Sequence, residues 1–326
     1  FSVFPDQHFC EWPAPSLLDR AAVMFTSGTT GRPKGVEITQ ANYAFAGKTM
    51  AEAAGLTAND RHIVVLPLFH ANAQYYSFAS AIWAGASVAL MHTFSASGFL
   101  GQAARHRATC ASLFAAPLRM ILARGKKTHG VELRHCWFAQ NIATDQFEMV
   151  SDWFGCAPRQ LYGMTETIPA VLTDEAAAPR PDAMGYVTNG CDVAIHRPDG
   201  TPAEPDEIGE IVVAGTPGIT IFAGYLGDAK TSAASFRDGW FLTGDRASSN
   251  PDGRFFFDGR RSDILKVAGE NVSTIEVEAV LTSHPKVLEA SVVGAPDPVR
   301  DEVPVAYVVA AEADDPPTAS ELIEWC

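Results

Sequence analysis

Apolar and polar positions follow one another in blocks that read alternately as strands and helices. The run Ala21-Ala22-Val23-Met24-Phe25 leads into a polar loop, and Val36-Glu37-Ile38-Thr39 beyond it reads as a strand. Thr39 is placed to cap a helix over Gln40 to Ala54, which Gly55 closes. A strand follows at Ile63-Val64-Val65-Leu66, stopped by Pro67, then a helix around Tyr75 to Ala84, stopped by Gly85, and a strand from Ser87 to Met91. The alternation continues through His106, Ala111–Phe114 and Pro117–Arg124, a strand from Leu133 to Phe138, a helix from Thr144 to Phe154, and the short strand Arg159-Gln160-Leu161. Strand–helix alternation with short joins predicts an α/β fold, a large N-terminal domain of helix-covered, mostly parallel sheets.

The texture changes from Met184. Short β-like runs (Asp192-His196, Glu210-Ala214, Phe255-Phe257) are punctuated by Pro198-Asp199-Gly200, Pro217-Gly218 and Pro251-Asp252-Gly253. Such punctuation predicts hairpins in a small β subdomain at about 184–259, the last part of a large domain over 1–259. A second change follows Arg260-Arg261-Ser262-Asp263, where a hinge is expected at 260–263. Downstream, Ser273-Thr274-Ile275-Glu276 has the spacing of a capping box, and strands are expected at Ala290-Val293 and Val303-Val309. Residues 264–326 thus read as part of a small α+β domain. The first residue is Phe1, and Cys326 falls within what reads as a helix, so the chain is expected to be truncated at both ends.

Composition narrows the function. With 326 residues, 47% of them hydrophobic, the chain can bury a large core. Its net charge of −14 lacks the basic face that nucleic acid requires, although a few local cations can still hold a small anion. The six cysteines have no CxxC spacing, which fits reduced thiols in a cytoplasmic protein better than a disulfide framework or a zinc site. The longest weakly polar run, Ser77 to Met91, falls short of the ~20 apolar residues of a membrane helix.

The chemistry centres on Thr26 to Gly35, Thr-Ser-Gly-Thr-Thr-Gly-Arg-Pro-Lys-Gly. Gly28 and Gly31 free the backbone to turn N–H groups toward an anion. Thr26, Ser27, Thr29 and Thr30 supply hydroxyl donors, and Arg32 and Lys34 supply positive charge. The blander reading is a Gly/Thr-rich surface turn. It is not the P-loop of nucleoside triphosphatases, because Pro33 precedes Lys34 and a strand follows in place of a helix.

This loop resembles the signature of the adenylate-forming superfamily, which includes acyl-CoA synthetases, luciferase-like enzymes and peptide-synthetase adenylation domains. Other motifs follow in that family's order, and Thr220-Ile221-Phe222 and Gly269-Glu270-Asn271-Val272-Ser273 look most like crotonobetaine/carnitine-type CoA ligases. The resemblance implies activation of a carboxylic acid by ATP and Mg²⁺ to acyl-AMP, followed by transfer to CoA. A carrier-protein phosphopantetheine as the acceptor, or a non-catalytic nucleotide-binding protein, remain alternatives, and a homo-oligomer is compatible with either. The family's N-terminal portion before the loop and its C-terminal catalytic Lys lie outside this chain.

The same resemblance implies residue roles. Tyr162-Gly163-Met164-Thr165-Glu166-Thr167 matches the adenine-and-metal motif, with Tyr162 stacking on adenine, Thr165 on phosphate and Glu166 on Mg²⁺; a loop whose Thr and Glu merely cap a turn is the bland alternative. Where the family carries a Gly-rich adenine segment, this chain has Phe138-Ala139-Gln140-Asn141, so the amides of Gln140 and Asn141 are the candidates there. His70 lies just past a strand end and matches the residue that borders the activated carboxylate, although a lone His is more often structural. His70, Asn72, Gln74 and Gly163 are the implied acyl pocket. No Asp occurs from Ile63 to Met91, which weighs against an α-amino acid. Asp245 in Trp240-Phe241-Leu242-Thr243-Gly244-Asp245 matches the ribose motif, as does Arg260, with Ser262 at the hinge. Lys266 and Gly269 match the segment that faces the pantetheine tunnel, although the stretch also reads as a plain hairpin.

Overall fold

A computed structural model of the chain describes residues 14–26, 33–260, 264–267, 270–297, 301–312 and 314–326. The chain divides into two compact units, one of residues 1–193 and 213–241, the other of residues 194–212 and 242–326.

The first unit is built on a seven-stranded sheet in the order Ser87–Leu90, Arg61–Val64, Cys110–Phe114, His135–Ala139, Arg159–Tyr162, Leu172–Thr173, Tyr186–Val187. The first five strands are parallel and the last two antiparallel. Alternate residues feed opposite faces. Ala111, Leu113, Cys136 and Phe138 pack with Phe99, Leu118, Val150 and Phe154 on one side. Trp137 and Leu161 pack with Met50, Tyr75 and Tyr76 on the other. The α/β class follows from this burial of both faces.

The helix over Gln40–Ala54 forms where its ends are marked. Thr39 accepts the Asn42 N–H over 3.1 Å while Asn42 Oδ1 accepts the Thr39 N–H over 3.1 Å, and Gly55 closes the helix at φ 58°. The fully buried Asn42 amide also donates to the carbonyls of Ile219 and Ile221, each at 3.0 Å.

Elsewhere local pattern and structure differ in detail. The helix read at Tyr75 to Ala84 begins instead as a π-helical stretch, Asn72–Ala79, and becomes α-helical only over Ser80–Ala84, ending at Gly85 with φ 69°. The strand read at Ile63 to Leu66 is Arg61–Val64; Val65 is buried without belonging to the ladder, because apolarity reports burial and not pairing.

A small sheet joins Arg20–Thr26, Lys34–Thr39 and Gly224–Tyr225. Farther on, Asp192–His196, Gly209–Ala214, Trp240–Ser249 and Phe236–Arg237 pair in that order, with Phe255–Arg260 also on Trp240–Ser249. In the second unit an antiparallel sheet runs Glu270–Ser273, Ile264–Val267, Asp301–Ala310, Val287–Asp297. The strands read at Ala290-Val293 and Val303-Val309 are the centre of this longer pair. Ser273 accepts the Glu276 N–H over 3.3 Å and opens the helix Thr274–Thr282. No described helix is long and apolar enough to cross a membrane.

Candidate active site

The two strands that flank the candidate phosphate loop form a hairpin, with Thr26 paired to Lys34. As the sequence predicts, a strand and not a helix follows the loop. Ser27, Gly28, Thr29, Thr30 and Gly31 lie outside the described residues.

Beside this hairpin stands Glu166, only 4% exposed. Its Oε1 accepts from the Tyr225 hydroxyl over 3.0 Å and from Thr26 Oγ1 over 3.4 Å. Burial, then the Glu166 carboxylate, push the Tyr225 phenol up, so it remains a donor. Both hydrogen bonds land on one oxygen, and among the described residues Oε2 takes no donor. That arrangement fits a hard cation, which wants a carboxylate oxygen. No group of three or more His, Cys, Asp or Glu side chains gathers among the described residues. A cation here would therefore draw most of its shell from phosphate oxygens and water, as Mg²⁺ does.

Glu166 is aimed by a tight loop. Gly163 has no room for a side chain, since a Cβ would meet the Pro169 carbonyl at 2.8 Å and the Tyr76 hydroxyl at 2.9 Å. Thr167 Oγ1 accepts the Met164 N–H over 2.9 Å and stands 3.1 Å from the Met164 carbonyl. Buried Ile168 then adopts φ 72°, an uncommon conformation for a β-branched residue. Thr165 is half-buried, one residue before Glu166. Tyr162 ends the strand Arg159–Tyr162, opposite Leu172.

Two other segments lie at C-terminal strand ends, where open α/β sheets bind ligands. Gln140, directly after His135–Ala139, is exposed and has φ 72°. The chain therefore keeps a glycine-type backbone at the position where the resemblance expects glycine. Asn141 is engaged elsewhere: its Oδ1 accepts from the buried Gln160 over 3.0 Å, and its carbonyl accepts from Arg119 over 3.2 Å. His70 is exposed, edge-on to Phe114 at 5.3 Å, and burial of part of its ring pushes its pKa down.

A cavity of about 590 Å³ opens between the helix Gln40–Ala54 and the π-helical stretch, lined by Tyr43, Gly47, Leu68, Gln74, Phe78 and Trp83 among others. Gln74 is pinned in its wall, accepting from Tyr43 and donating to the Leu68 carbonyl over 2.6 Å. Of the four acyl-pocket candidates only Gln74 lines it; His70, Asn72 and Gly163 do not.

Within the second unit, strand pairing sets Asp245 directly opposite Arg260. Arg260 Nε donates to the buried Asp245 carboxylate over 2.7 Å. The Asp245 N–H is accepted by Thr243 Oγ1, which donates to the Ile211 carbonyl over 2.7 Å. Gly244, between them, has φ 75°. Lys266 lies on its strand opposite Asn271, whereas Ser262 and Gly269 lie outside the described residues.

The AMP-binding enzyme family matches residues 5–226, and the AMP-binding enzyme C-terminal domain matches residues 276–326. The chain belongs to the AMP-binding enzyme family. Over 309 residues it is 36% identical to a crotonobetaine/carnitine–CoA ligase of Shigella flexneri serotype 5b (strain 8401), covering 94% of this chain and 61% of that protein. Among solved structures it resembles o-succinylbenzoate coenzyme A synthetase from Bacillus subtilis in complex with ATP and a magnesium ion, with TM-score 0.83 and 34% identity over 95% of this chain and 64% of the other. ATP-bound MatB from Rhodopseudomonas palustris gives TM-score 0.85 at 26% identity, covering 95% of this chain and 62% of that one. The chain thus spans about three fifths of the length of these relatives.

Tyr225 carries no assignment from the sequence. Its signal was present in Gly224-Tyr225, just past the family-like Thr220-Ile221-Phe222, but only the fold brings it to Glu166.

Proposed function

We propose that the protein to which this chain belongs is an AMP-forming acid–CoA ligase. The observation that carries the reading is the convergence of Thr26, from the phosphate loop, on buried Glu166, from the second motif. In the first step a carboxylate oxygen attacks the α-phosphorus of ATP, and the bond to pyrophosphate breaks. In the second, the CoA thiol sulfur attacks the acyl carbon, its proton passes to solvent, and AMP leaves with the bonding pair.

The chain's part is to hold charge and geometry. Loop hydroxyls and amides, with Lys34, take the phosphates, and Thr165 donates to them. Glu166 would hold Mg²⁺ through its carboxylate, and the ion would neutralise charge on the phosphate oxygens. His70 borders the carboxylate with Asn72, Gln74 and Gly163 beyond it, and Tyr162, Met164 and Gln140 meet the adenine. Asp245 accepts from the ribose hydroxyls beside Arg260. Lys266 and Gly269 serve the pantetheine arm after rotation about a hinge at 260–263 that includes Ser262. The relatives' names support CoA as acceptor, and the unpaired described cysteines, with an acidic chain, fit a cytoplasmic enzyme.

The test is carried out on the full-length protein. Acid-dependent ATP–pyrophosphate exchange across a carboxylate panel establishes the first step, and CoA-dependent AMP release establishes the second. Exchange without CoA-dependent release would make the acceptor a carrier protein. ATP binding without exchange would refute the ligase reading.

A further inference from the structure

Of the two donors to the Glu166 carboxylate among the described residues, one comes from a strand pairing that neither motif contains. Gly224–Tyr225 is the third strand of the small sheet, and Tyr225 lies opposite Val36, two residues from Lys34. In that register Lys34, Val36 and Tyr225 share one face, together with Thr26 opposite Lys34. The consequence is a compact relay. The Lys34 ammonium stands 4.8 Å from the centre of the Tyr225 ring, and the hydroxyl at the ring's edge donates to Glu166 Oε1 over 3.0 Å. The ring is braced edge-on by Phe222 at 5.0 Å, and the Phe222 N–H donates to the Glu166 carbonyl over 3.0 Å. Segment 222–225 therefore grips both the backbone and the side chain of Glu166.

We infer that Tyr225 is a positioning residue for the metal: its hydroxyl occupies Glu166 Oε1 and presents Oε2 to the cation, while its ring keeps Lys34 beside the same phosphates. A glutamate without that donor keeps only the longer 3.4 Å contact from Thr26, turns more freely about its side-chain bonds and must be ordered when the cation binds. Its loss is thus felt as weaker metal binding more than as a slower saturated rate. The inference rests on the reading of Glu166 as the metal ligand.

Tyr225→Phe separates the two roles of the ring, because it keeps the packing and the Lys34 contact and removes only the hydroxyl. In the full-length protein, Mn²⁺ binding in the presence of ATP, followed by electron paramagnetic resonance, is expected to weaken about tenfold, the size of a hydrogen bond to a charged group. The Mg²⁺ needed for half-maximal pyrophosphate exchange rises in parallel, and the saturated rate falls by less. Glu166→Gln is the reference. If Glu166→Gln weakens Mn²⁺ binding and Tyr225→Phe does not, the positioning role is overturned while the metal reading stands. If Glu166→Gln binds Mn²⁺ normally, the metal reading itself fails and takes this inference with it. A Tyr225→Phe protein whose metal binding is intact but whose saturated rate collapses would place the hydroxyl in the reaction itself, against the inference. Melting temperature reports folding; should Tyr225→Phe not fold, Tyr225→His, an aromatic ring that retains an N–H donor, is expected to bind Mn²⁺ more tightly than Tyr225→Leu, and equal affinities would overturn the role.

Discussion

The Asn72 backbone N–H donates to Nδ1 of His70 over 3.2 Å, so that nitrogen is an acceptor and the neutral ring carries its proton on Nε2. Burial favours the same neutral form, pushing the pKa below the usual 6.5. The unfolded chain then binds this proton more readily than the folded one. The hydrogen bond and its stability are present above pH 6.5 and decline as pH falls below it. Nitrogen-15 spectra at pH 7 are expected to show the Nε2–H tautomer, and an imidazolium signal at pH 7 would contradict this.

Asp60 closes the N-terminal end of the parallel strands. Its carboxylate takes Arg134 Nε at 2.7 Å and Nη2 at 2.6 Å, the Thr57 N–H at 2.8 Å and Thr109 Oγ1 at 2.8 Å. Burial pushes the carboxyl up, but hydrogen bonds from Arg134, Thr57 and Thr109 outweigh it and hold the group well below the usual 3.8. The stabilisation is fully present above pH 3.8 and is lost as pH falls further. Asp60→Asn is expected to cost about 1–3 kcal/mol at pH 7, moderated because Arg134 is partly solvated. Urea unfolding at pH 7 and below pH 3 measures both the cost and its decline; a cost that persists undiminished in acid would contradict the pairing.

Gln140 holds a left-handed backbone that costs a side-chain residue about 1 kcal/mol. Gln140→Gly is expected to leave stability unchanged or slightly raised, since relief of strain offsets the added freedom of the unfolded chain. Gln140→Val, β-branched at the same φ, is expected to lose about 1–2 kcal/mol. Thermal melts of the pair check the sign, and a Gly variant less stable than the Val variant would refute the backbone argument.

Asp245 and Arg260 meet across two strands, and the carboxylate is buried while the guanidinium is largely exposed. Asp245→Ala is expected to lower ATP affinity at least tenfold, given about 1.5–3 kcal/mol for a hydrogen bond to a charged group. Calorimetry on a folded variant decides this; unchanged affinity would remove the ribose role.

What the sequence determined by itself is what lies within a few residues of its own signal. Thr39 and Gly55 mark the ends of one helix, and Thr144–Phe154 is a helix at the predicted limits, because caps and apolar periodicity act over one or two turns. The order of the motifs likewise pointed to the family before any fold was known. The tertiary structure alone decided which of these local pieces meet. Tyr225 reaches Glu166 across 59 positions because Gly224–Tyr225 pairs with Lys34–Thr39, and Asp245 faces Arg260 because a bulge between Asp245 and Ala247 sets their register. Strand register is fixed by burial on both faces at once, a condition that no single window of residues contains. For the same reason the buried Asn42 could be read as a helix residue but not as the clamp on Ile219 and Ile221, and the left-handed Gln140 carried no glycine to announce it.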